Sequence, residues 1–481
     1  MNDPLQIFVF FALTTAIGVA TWWKCRDSGD RRGNSNKEYF LAGGGLSWFF
    51  VAGSITLTNL STDQLVGMNG NQMLLIAWWE LAAVVGLIIL AFVFLPIYYR
   101  YNCTTTTELL EKRYNSKHIR ATIAMLFLLG NVFIYLPIML YTGSLFMQSM
   151  FGLEIGLITI AILFAVVGAA YAIFGGLRAV AVSDTYSGVG LLAMALLVVF
   201  LSLQAVNFDL SGVPMERLTM IGDNDSPIPW HTLFTGMVFI QVFYWSTNQT
   251  ITQRAMAAPS VREAQKGVLA AAGIRLLIVP AIIAVPGICA YLLYGDIGDD
   301  AYGRLVGDLL PGWLSGAFAA MMAAAVLTSF NSVLNSSAAL YVCDLHEKYV
   351  NETPNVHRLN TTISLAFVVA AIALVPVYSG AESIINLVQQ LNGLLSMPIL
   401  SAFITGLMFR NVDARAVIIS VVMGTTLYAI FTFWKGPPIH YIHQMLIVLI
   451  FCIGSALTIN KSLFGRKANF TPRELVAGAP Q

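Results

Sequence analysis

Between Ser47 and Gly70 an apolar run long enough to cross a bilayer is interrupted by Asn59-Leu60-Ser61-Thr62-Asp63, which puts polar side chains and a carboxylate at membrane depth. Hydrocarbon offers no hydrogen bonds, so such a stretch survives only where it lines a cavity or contacts other protein. The interruption therefore predicts a helix broken at mid-membrane with a solute or ion site beside the break. The rest of the chain agrees: 57% of it is hydrophobic and 11% charged, where a soluble domain carries about 25% charged residues. An all-α integral membrane protein is expected. The net charge of +1 and the lack of a basic run argue against nucleic-acid binding.

About 13 segments reach the roughly 30 Å needed to cross hydrocarbon: 4–23, 46–69, 73–98, 121–148, 152–174, 179–206, 230–252, 263–294, 313–342, 358–378, 382–409, 413–434 and 440–459. The first lacks a basic flank and a small-residue cleavage site, so it is expected to stay as a helix. With the N-terminus external, only Arg217, Arg304 and Lys435 of the 26 basic residues fall in outer loops, and Arg275 falls inside a span. That asymmetry predicts an external N-terminus and a cytoplasmic C-terminus. The tail after Leu463 is the only candidate appendage, so no soluble catalytic domain is expected, and a transporter is favoured over an enzyme. Cys25, Cys103, Cys289, Cys343 and Cys452 stand singly and read as packing residues. His346-Glu347 has no second histidine four residues on, and His440 and His443 sit in a loop beside Pro437 and Pro438, so neither implies metal chemistry.

The 46–69 and 230–252 spans both lose their apolar character midway, the second in FYWSTNQTITQ (Phe243 to Gln253). They lie five spans apart and run in opposite directions. That is the parity of an inverted repeat, which places a binding site at the membrane midplane. The competing role for these polar residues is hydrogen bonding across a packed bundle. The expected division is an N-terminal helix and loop (1–45), a transport core (46–409, with repeats 46–206 and 207–409) and two C-terminal helices with a tail (410–481).

In the 313–342 span, Thr328, Asn331, Ser332 and Asn335 recur at i, i+3, i+4 and i+7 and share one helical face. Neutral oxygen ligands without a full carboxylate set suit a hard monovalent cation better than a divalent one. The competing role for any one hydroxyl there is a bond back to the carbonyl four residues earlier. Glu80 and Arg275 each lie roughly 12 to 14 Å deep at 1.5 Å per residue, where an unpaired charge costs about 2.5 to 3.5 kcal/mol on insertion. Gln64, Gln241 and Gln389 fall at similar depth. Amides, a carboxylate and a cation together offer the donors and acceptors that a polyhydroxylated ligand needs. The same two charges equally fit a buried ion pair joining their helices.

NLSTDQLVGMNG (Asn59 to Gly70), WWE ending at Glu80, TELLEKRYN (Thr107 to Asn115), GGLRAVAVSD (Gly175 to Asp184), NQTITQR followed by EAQKG (Asn248 to Gly267), AAAVLTSFNSVLNSS (Ala323 to Ser337) and LVQQLNGLLSMP (Leu387 to Pro398) occur in this order. Together they resemble the bacterial sodium/sugar symporters of the sodium/solute symporter family, over nearly the whole chain. The resemblance implies a leucine-transporter-like 5+5 inverted-repeat fold, alternating access, and sodium-driven uptake of a monosaccharide-like solute across a bacterial inner membrane. It implies a sodium site from the carbonyls of Leu57, Leu60 and Ala325 and the hydroxyls of Thr328 and Ser329, with Asp184 assisting sodium exit to the cytoplasm. It implies a sugar site from Gln64, Glu80, Gln241, Arg275 and Gln389, linked by Asn59 to the helix break, with Tyr244 gating the inner side, Met68 the outer, and Trp245 nearby. Gln241 stands where Asn is expected, Arg275 where Lys is, Ala83 where a Ser is, and Ile385 where an aromatic residue is. These departures leave open a polyol or an organic or sugar acid as solute. A transporter-like sensor is the further alternative, and it would usually carry a signalling domain.

Overall fold

The computed structural model describes residues 4–26, 40–60, 62–380, 383–435 and 438–471; Ser61 of the polar run lies outside them. Long apolar stretches with few internal breakers fold into helices, because in hydrocarbon each backbone N–H must find its partner within the segment. In chain order these are α1 (Pro4–Arg26), α2 (Trp48–Asn59), α3 (Thr62–Gly70), α4 (Leu74–Arg100), α5 (Thr106–Tyr114), α6 (Lys117–Phe151) and α7 (Leu157–Ala205). They continue as α8 (Gly236–Ser246), α9 (Gln249–Met256), α10 (Val261–Tyr294), α11 (Gly312–Tyr349), α12 (Val356–Tyr378), α13 (Ile384–Met408), α14 (Ala414–Trp434) and α15 (Tyr441–Ser462). A two-stranded antiparallel ribbon, β1 (Phe409–Arg410) with β2 (Asn469–Phe470), pairs Phe409 with Phe470 just beyond α13.

Among the described residues 10 helices are long and apolar enough to cross a membrane by themselves, so the expected count of about 13 is not reached by single helices. The difference has a physical origin in three places. The 46–69 span divides into α2 and α3, and the 230–252 span into α8 and α9; none of the four pieces exceeds 12 residues. At 1.5 Å per residue each covers only part of the bilayer. The expected 152–174 span runs without interruption into the next one within α7, 49 residues long.

Both breaks fall where the sequence becomes polar. At the first, Leu60 leaves helical geometry (φ −78, ψ 79). At the second, Asn248 restarts the chain as an N-cap, its Oδ1 accepting the Thr250 N–H at 2.9 Å. α2 packs against α7, α10 and α11, while α8 packs against α4 and α13. The α4–α8 approach requires Gly86: a Cβ there would lie 2.4 Å from the Gln241 carbonyl oxygen. Ser246 Oγ donates to the Gly86 carbonyl at 3.0 Å, so the end of α8 is bonded to the α4 backbone. α1 is peripheral, bonded to α11 through Gln6 Nε2 and Ser315 Oγ at 2.7 Å, and it presents Phe8, Phe11 and Trp23 outward.

At the end predicted to face the cytoplasm, Arg120 of α6 bonds Asp344 of α11 at 2.6 Å and Glu111 of α5 at 2.5 Å; Lys348 also reaches Glu111 at 2.9 Å. Asp344 is fully buried and further accepts from Thr105 Oγ1 at 2.8 Å. Burial alone would raise the Glu111 carboxyl, but the bonds from Arg120 and Lys348 outweigh it and hold the group below its ordinary value. The cluster fastens the connecting helix α5 to two long helices.

Candidate functional site

A helix that stops at Asn59 leaves carbonyls near its end open to partners from other helices, and two of them have one. Thr56 O accepts the Leu60 N–H at 2.9 Å and Arg275 Nη2 at 3.2 Å. Leu57 O accepts the Ser329 hydroxyl at 3.2 Å. One turn of α2 thus faces α10 on one side and α11 on the other.

Next to the break lies a cavity. Asn59, Gln64, Met68, Glu80, Gln241, Tyr244, Trp245 and Gln389 all line it, so the sequence-predicted substrate residues converge from α2, α3, α4, α8 and α13. Arg275 does not line it. Its guanidinium, fully buried, lies behind Glu80, bonded through Nη1 to Glu80 Oε2 and stacked 4.4 Å above the Trp245 ring. The ion pair that the sequence allowed is therefore formed. Glu80 nonetheless keeps a cavity face, its Oε1 accepting Gln64 Nε2 at 2.7 Å.

Other bonds fix the remaining side chains. Gln241 Nε2 donates to the Trp79 carbonyl at 3.0 Å, and Gln241 Oε1 accepts Trp245 Nε1–H at 2.9 Å. Asn59 Nδ2 donates to the Tyr244 hydroxyl at 2.9 Å. Two buried acceptors, Asn59 Oδ1 and Gln64 Oε1, have no hydrogen-bond partner among the described residues. Buried polar atoms are seldom left so. Acceptors at a cavity wall call for donors, which solute hydroxyls supply.

On the predicted sodium side, Thr328 Oγ1 donates to Ala325 O at 3.2 Å, and Ser332 Oγ to Thr328 O at 2.6 Å. With the Ser329–Leu57 bond these give two oxygen pairs where α11 meets α2, Leu57 O with Ser329 Oγ and Ala325 O with Thr328 Oγ1; Leu60 is the residue at which α2 breaks. The donors are neutral oxygens throughout, a set that fits a monovalent hard cation. The expected alternative, a bond to the carbonyl four residues earlier, is present at Ser332, and Thr328 bonds the carbonyl three residues earlier, yet Ser329 turns across to the other helix. Asp184 of α7 is buried on the adjoining side, accepting from Ser54 Oγ at 2.5 Å and Thr58 Oγ1 at 3.5 Å.

On the α3 side, Met68 and Ile385 are 1% and 2% exposed, and Asp299 Oδ2 accepts the Ile384 N–H at 3.0 Å. This face is shut. Burial, reinforced by neighbouring Asp300 and opposed by that N–H bond, pushes the Asp299 carboxyl up to about 6.

Sequence reasoning passed over several residues. Asp63 lines the cavity one turn beyond Asn59 in the same polar run. Asn392 lines it three residues after Gln389, a spacing that puts both on one helical face. Tyr135 donates to Asn392 Oδ1 at 2.6 Å from a π-helical stretch, Asn131–Tyr135, whose shifted register has no signature in the sequence. Arg254, in α9, is fully buried with its Nε 2.9 Å from Ser54 Oγ and 4.0 Å from Asp184.

Residues 39–424 match the model of the sodium:solute symporter family. The chain is 34% identical to an uncharacterized symporter, YidK, of Escherichia coli K12, over 94% of this chain and 82% of that protein. It is 30% identical to the sodium/glucose cotransporter of Vibrio parahaemolyticus, over 93% and 88% of the two chains. A sodium-coupled sialic acid symporter in a substrate-bound outward-open state superposes with a TM-score of 0.82 at 15% identity, covering 97% of this chain and 99% of that one, which speaks for the shared leucine-transporter-like fold alone. With two broken helices beside a polar cavity, ten helices among the described residues that are long and apolar enough to cross a membrane, and a family match over most of its length, this multi-pass membrane protein belongs to the sodium:solute symporter family.

Proposed function

We propose that the protein is a sodium-coupled symporter that imports a neutral polyhydroxylated solute of monosaccharide size by alternating access, in a bacterial inner membrane with its N-terminus outside. One observation carries this reading above others. A cavity lined by amides and two carboxylates, one of them paired with Arg275, with unpartnered buried acceptors on two of its lining residues, lies beside the same helix break whose Leu57 carbonyl accepts the Ser329 hydroxyl. In this reading Leu57, Leu60, Ala325, Thr328 and Ser329 hold sodium across α2 and α11, and Asp184 receives it on the inward path. Asn59, Gln64, Glu80, Gln241 and Gln389 hold the solute, with Tyr244 and Trp245 on one side and Met68 on the other. Arg275 is a positioning residue that orients Glu80.

Sodium supplies the driving force. One charge falling through 100 mV releases about 2.3 kcal/mol and a tenfold gradient about 1.4 kcal/mol more, enough for roughly 500-fold accumulation. An acidic solute is the second reading, since a guanidinium fork suits a carboxylate; the placement of Arg275 behind Glu80 weighs against it. Uptake into proteoliposomes, with and without an inward sodium gradient, decides between them across labelled hexoses, inositols and hexuronates. Sodium-stimulated uptake of a neutral hexose or inositol is expected. Sodium-independent uptake, or uptake of hexuronates alone, would overturn the proposal.

A further inference from the structure

We propose that the solute leaves the cavity through a second chamber on its cytoplasmic side, and that the hydrogen-bonded pair Tyr135 and Asn392 is the latch between the two. The proposal rests on the first cavity being the solute site. A smaller cavity lies beside the first, and Tyr135, Phe243 and Asn392 line both. Its other walls lie in the same direction along three helices. They run from Tyr135 of α6 back to Asn131 and Phe127, from Asn392 of α13 on to Leu395 and Ile399, and from Phe243 of α8 on to the break at Asn248. The beginning of α6 and the end of α13 share one end of the molecule, since Tyr114, just before α6, donates to Ala402 O of α13 at 2.9 Å. That is the end predicted to face the cytoplasm. The second chamber is therefore displaced inward from the first, and it stands apart from the proposed sodium route along α2, α7 and α11.

The partition between the chambers is thin. The Tyr135 hydroxyl donates to Asn392 Oδ1 at 2.6 Å, and Phe243 stacks on Phe127 with centroids 5.9 Å apart and planes 14° from parallel. Tyr135 ends the π-helical turn Asn131–Tyr135, a feature that recurs at functional sites. One neutral hydrogen bond and one aromatic pair are weak enough to break in every cycle. The chamber behind them is mainly apolar, and its polar lining beyond Tyr135 is Asn131, Asn248 and Asn392. Each amide already gives one atom to the protein: Asn131 Nδ2 donates to Ser337 Oγ at 2.9 Å, Asn248 Oδ1 accepts the Thr250 N–H, and Asn392 Oδ1 accepts Tyr135. Among the described residues, that leaves Asn131 Oδ1, Asn248 Nδ2 and Asn392 Nδ2 for solute hydroxyls. So few bonds in an apolar surround hold a polyhydroxylated solute weakly, and a site on an exit route must bind weakly enough to let go.

The probe is labelled glucose or myo-inositol, whichever the full-length wild type accumulates with sodium. Leu395→Trp fills the second chamber from a position outside the first. Sodium-dependent binding of the probe to this purified variant should stay within about threefold of wild type, while uptake into proteoliposomes falls at least about tenfold. Leu126→Trp makes the same test if the first variant does not fold. Uptake within about twofold of wild type, or binding lost in step with uptake in both variants, overturns the exit role. The latch is read separately, with Ile399→Cys placing a thiol in the second chamber. Its alkylation by an impermeant maleimide in inside-out vesicles, followed at that peptide by mass spectrometry, reports opening to the cytoplasm. Adding Tyr135→Phe, which deletes one hydroxyl, should speed the labelling at least about threefold. Labelling that Tyr135→Phe leaves within about 1.5-fold overturns the latch, and labelling that saturating probe fails to slow overturns occupancy of the chamber. A wild type that binds and accumulates neither probe sinks the solute assignment itself, whatever the tryptophan variants do.

Discussion

Arg275→Ala removes a guanidinium that is fully buried and leaves Glu80, 1% exposed, with the Gln64 amide as a remaining donor. Opposite charges about 4 Å apart attract by about 4 kcal/mol at an effective dielectric of about 20. Removing one member of a buried pair costs about 3 to 5 kcal/mol, chiefly because the other charge stays behind in low dielectric. Stacking on Trp245 adds about 1 kcal/mol. Arg275→Lys keeps the charge but not the fork. An ammonium placed to meet Glu80 gives up the bond from Nη2 to the Thr56 carbonyl, so this variant should lose about 1 to 2 kcal/mol.

In sodium-stimulated uptake, Arg275→Lys should raise the apparent KM about tenfold and Arg275→Ala should nearly abolish transport. Adding Glu80→Gln to Arg275→Ala removes the stranded charge. The double variant should recover thermal stability in detergent while uptake stays lost, because the carboxylate that meets the solute is gone. A KM within about threefold of wild type for Arg275→Ala refutes the positioning role. A double variant less stable than the single one refutes the buried-charge account.

Three further outcomes are expected. Thr328→Val with Ser329→Ala takes two hydroxyls from a buried polar site with little change in side-chain volume, so sodium stimulation should disappear while the thermal midpoint moves little; retained wild-type sodium dependence places the ion elsewhere. Asp299, raised to about 6 by burial, is easiest to keep docked when protonated: its contribution is full below the ordinary carboxylate value near 4 and is lost as pH rises through about 6. Amide exchange at the start of α13, corrected for intrinsic rates, should therefore be slower at pH 5 than at pH 7.5, and Asp299→Asn should erase the difference; an unchanged pH response in that variant rejects this assignment. Cys103, Cys289, Cys343 and Cys452 are buried, so an impermeant maleimide reports on Cys25, which should label in inside-out vesicles and not in intact cells; the reverse pattern inverts the topology.

Much of the site was legible because the membrane makes polarity expensive. A glutamate at position 80 or a glutamine at 241 has no cheap place in a span, so its depth alone marked it, and both line the cavity. The two breaks announced themselves in the same way. Three-dimensional placement was less accessible. Nothing in the sequence decides whether Arg275 reaches the cavity or stands behind Glu80, since both satisfy the charge; packing over Trp245 settles it. Tyr135 enters the wall because a π-helical turn rotates its helix, and Arg254, in α9, is buried beside Asp184. The expected spans and the single helices part company where helices stop halfway and where two expected spans run on as one helix, α7.

Coupling follows from how little chain separates the two sites. Thr56 O and Leu57 O are consecutive carbonyls at the end of α2: the first bonds Arg275, which holds Glu80, and the second bonds Ser329 at the proposed sodium site. Asn59, two residues on, bonds Tyr244, and Gln64, in the first turns of α3, bonds Glu80. An ion that draws Leu57 and Leu60 toward α11 acts on a segment whose neighbouring atoms position the carboxylate, the amides and the tyrosine of the solute cavity. A ligand biases two conformations only through contacts that differ between them, and the end of α2 offers them here, because Leu57 O bonds a side chain of α11 while Thr56 O, which keeps the Leu60 N–H, also accepts Arg275 of α10. In the proposed assignment, solute at Gln64 and Glu80 strengthens sodium binding by the same factor by which sodium strengthens solute binding. The link between the two proposed sites is then two consecutive carbonyls, each tied to a different neighbouring helix.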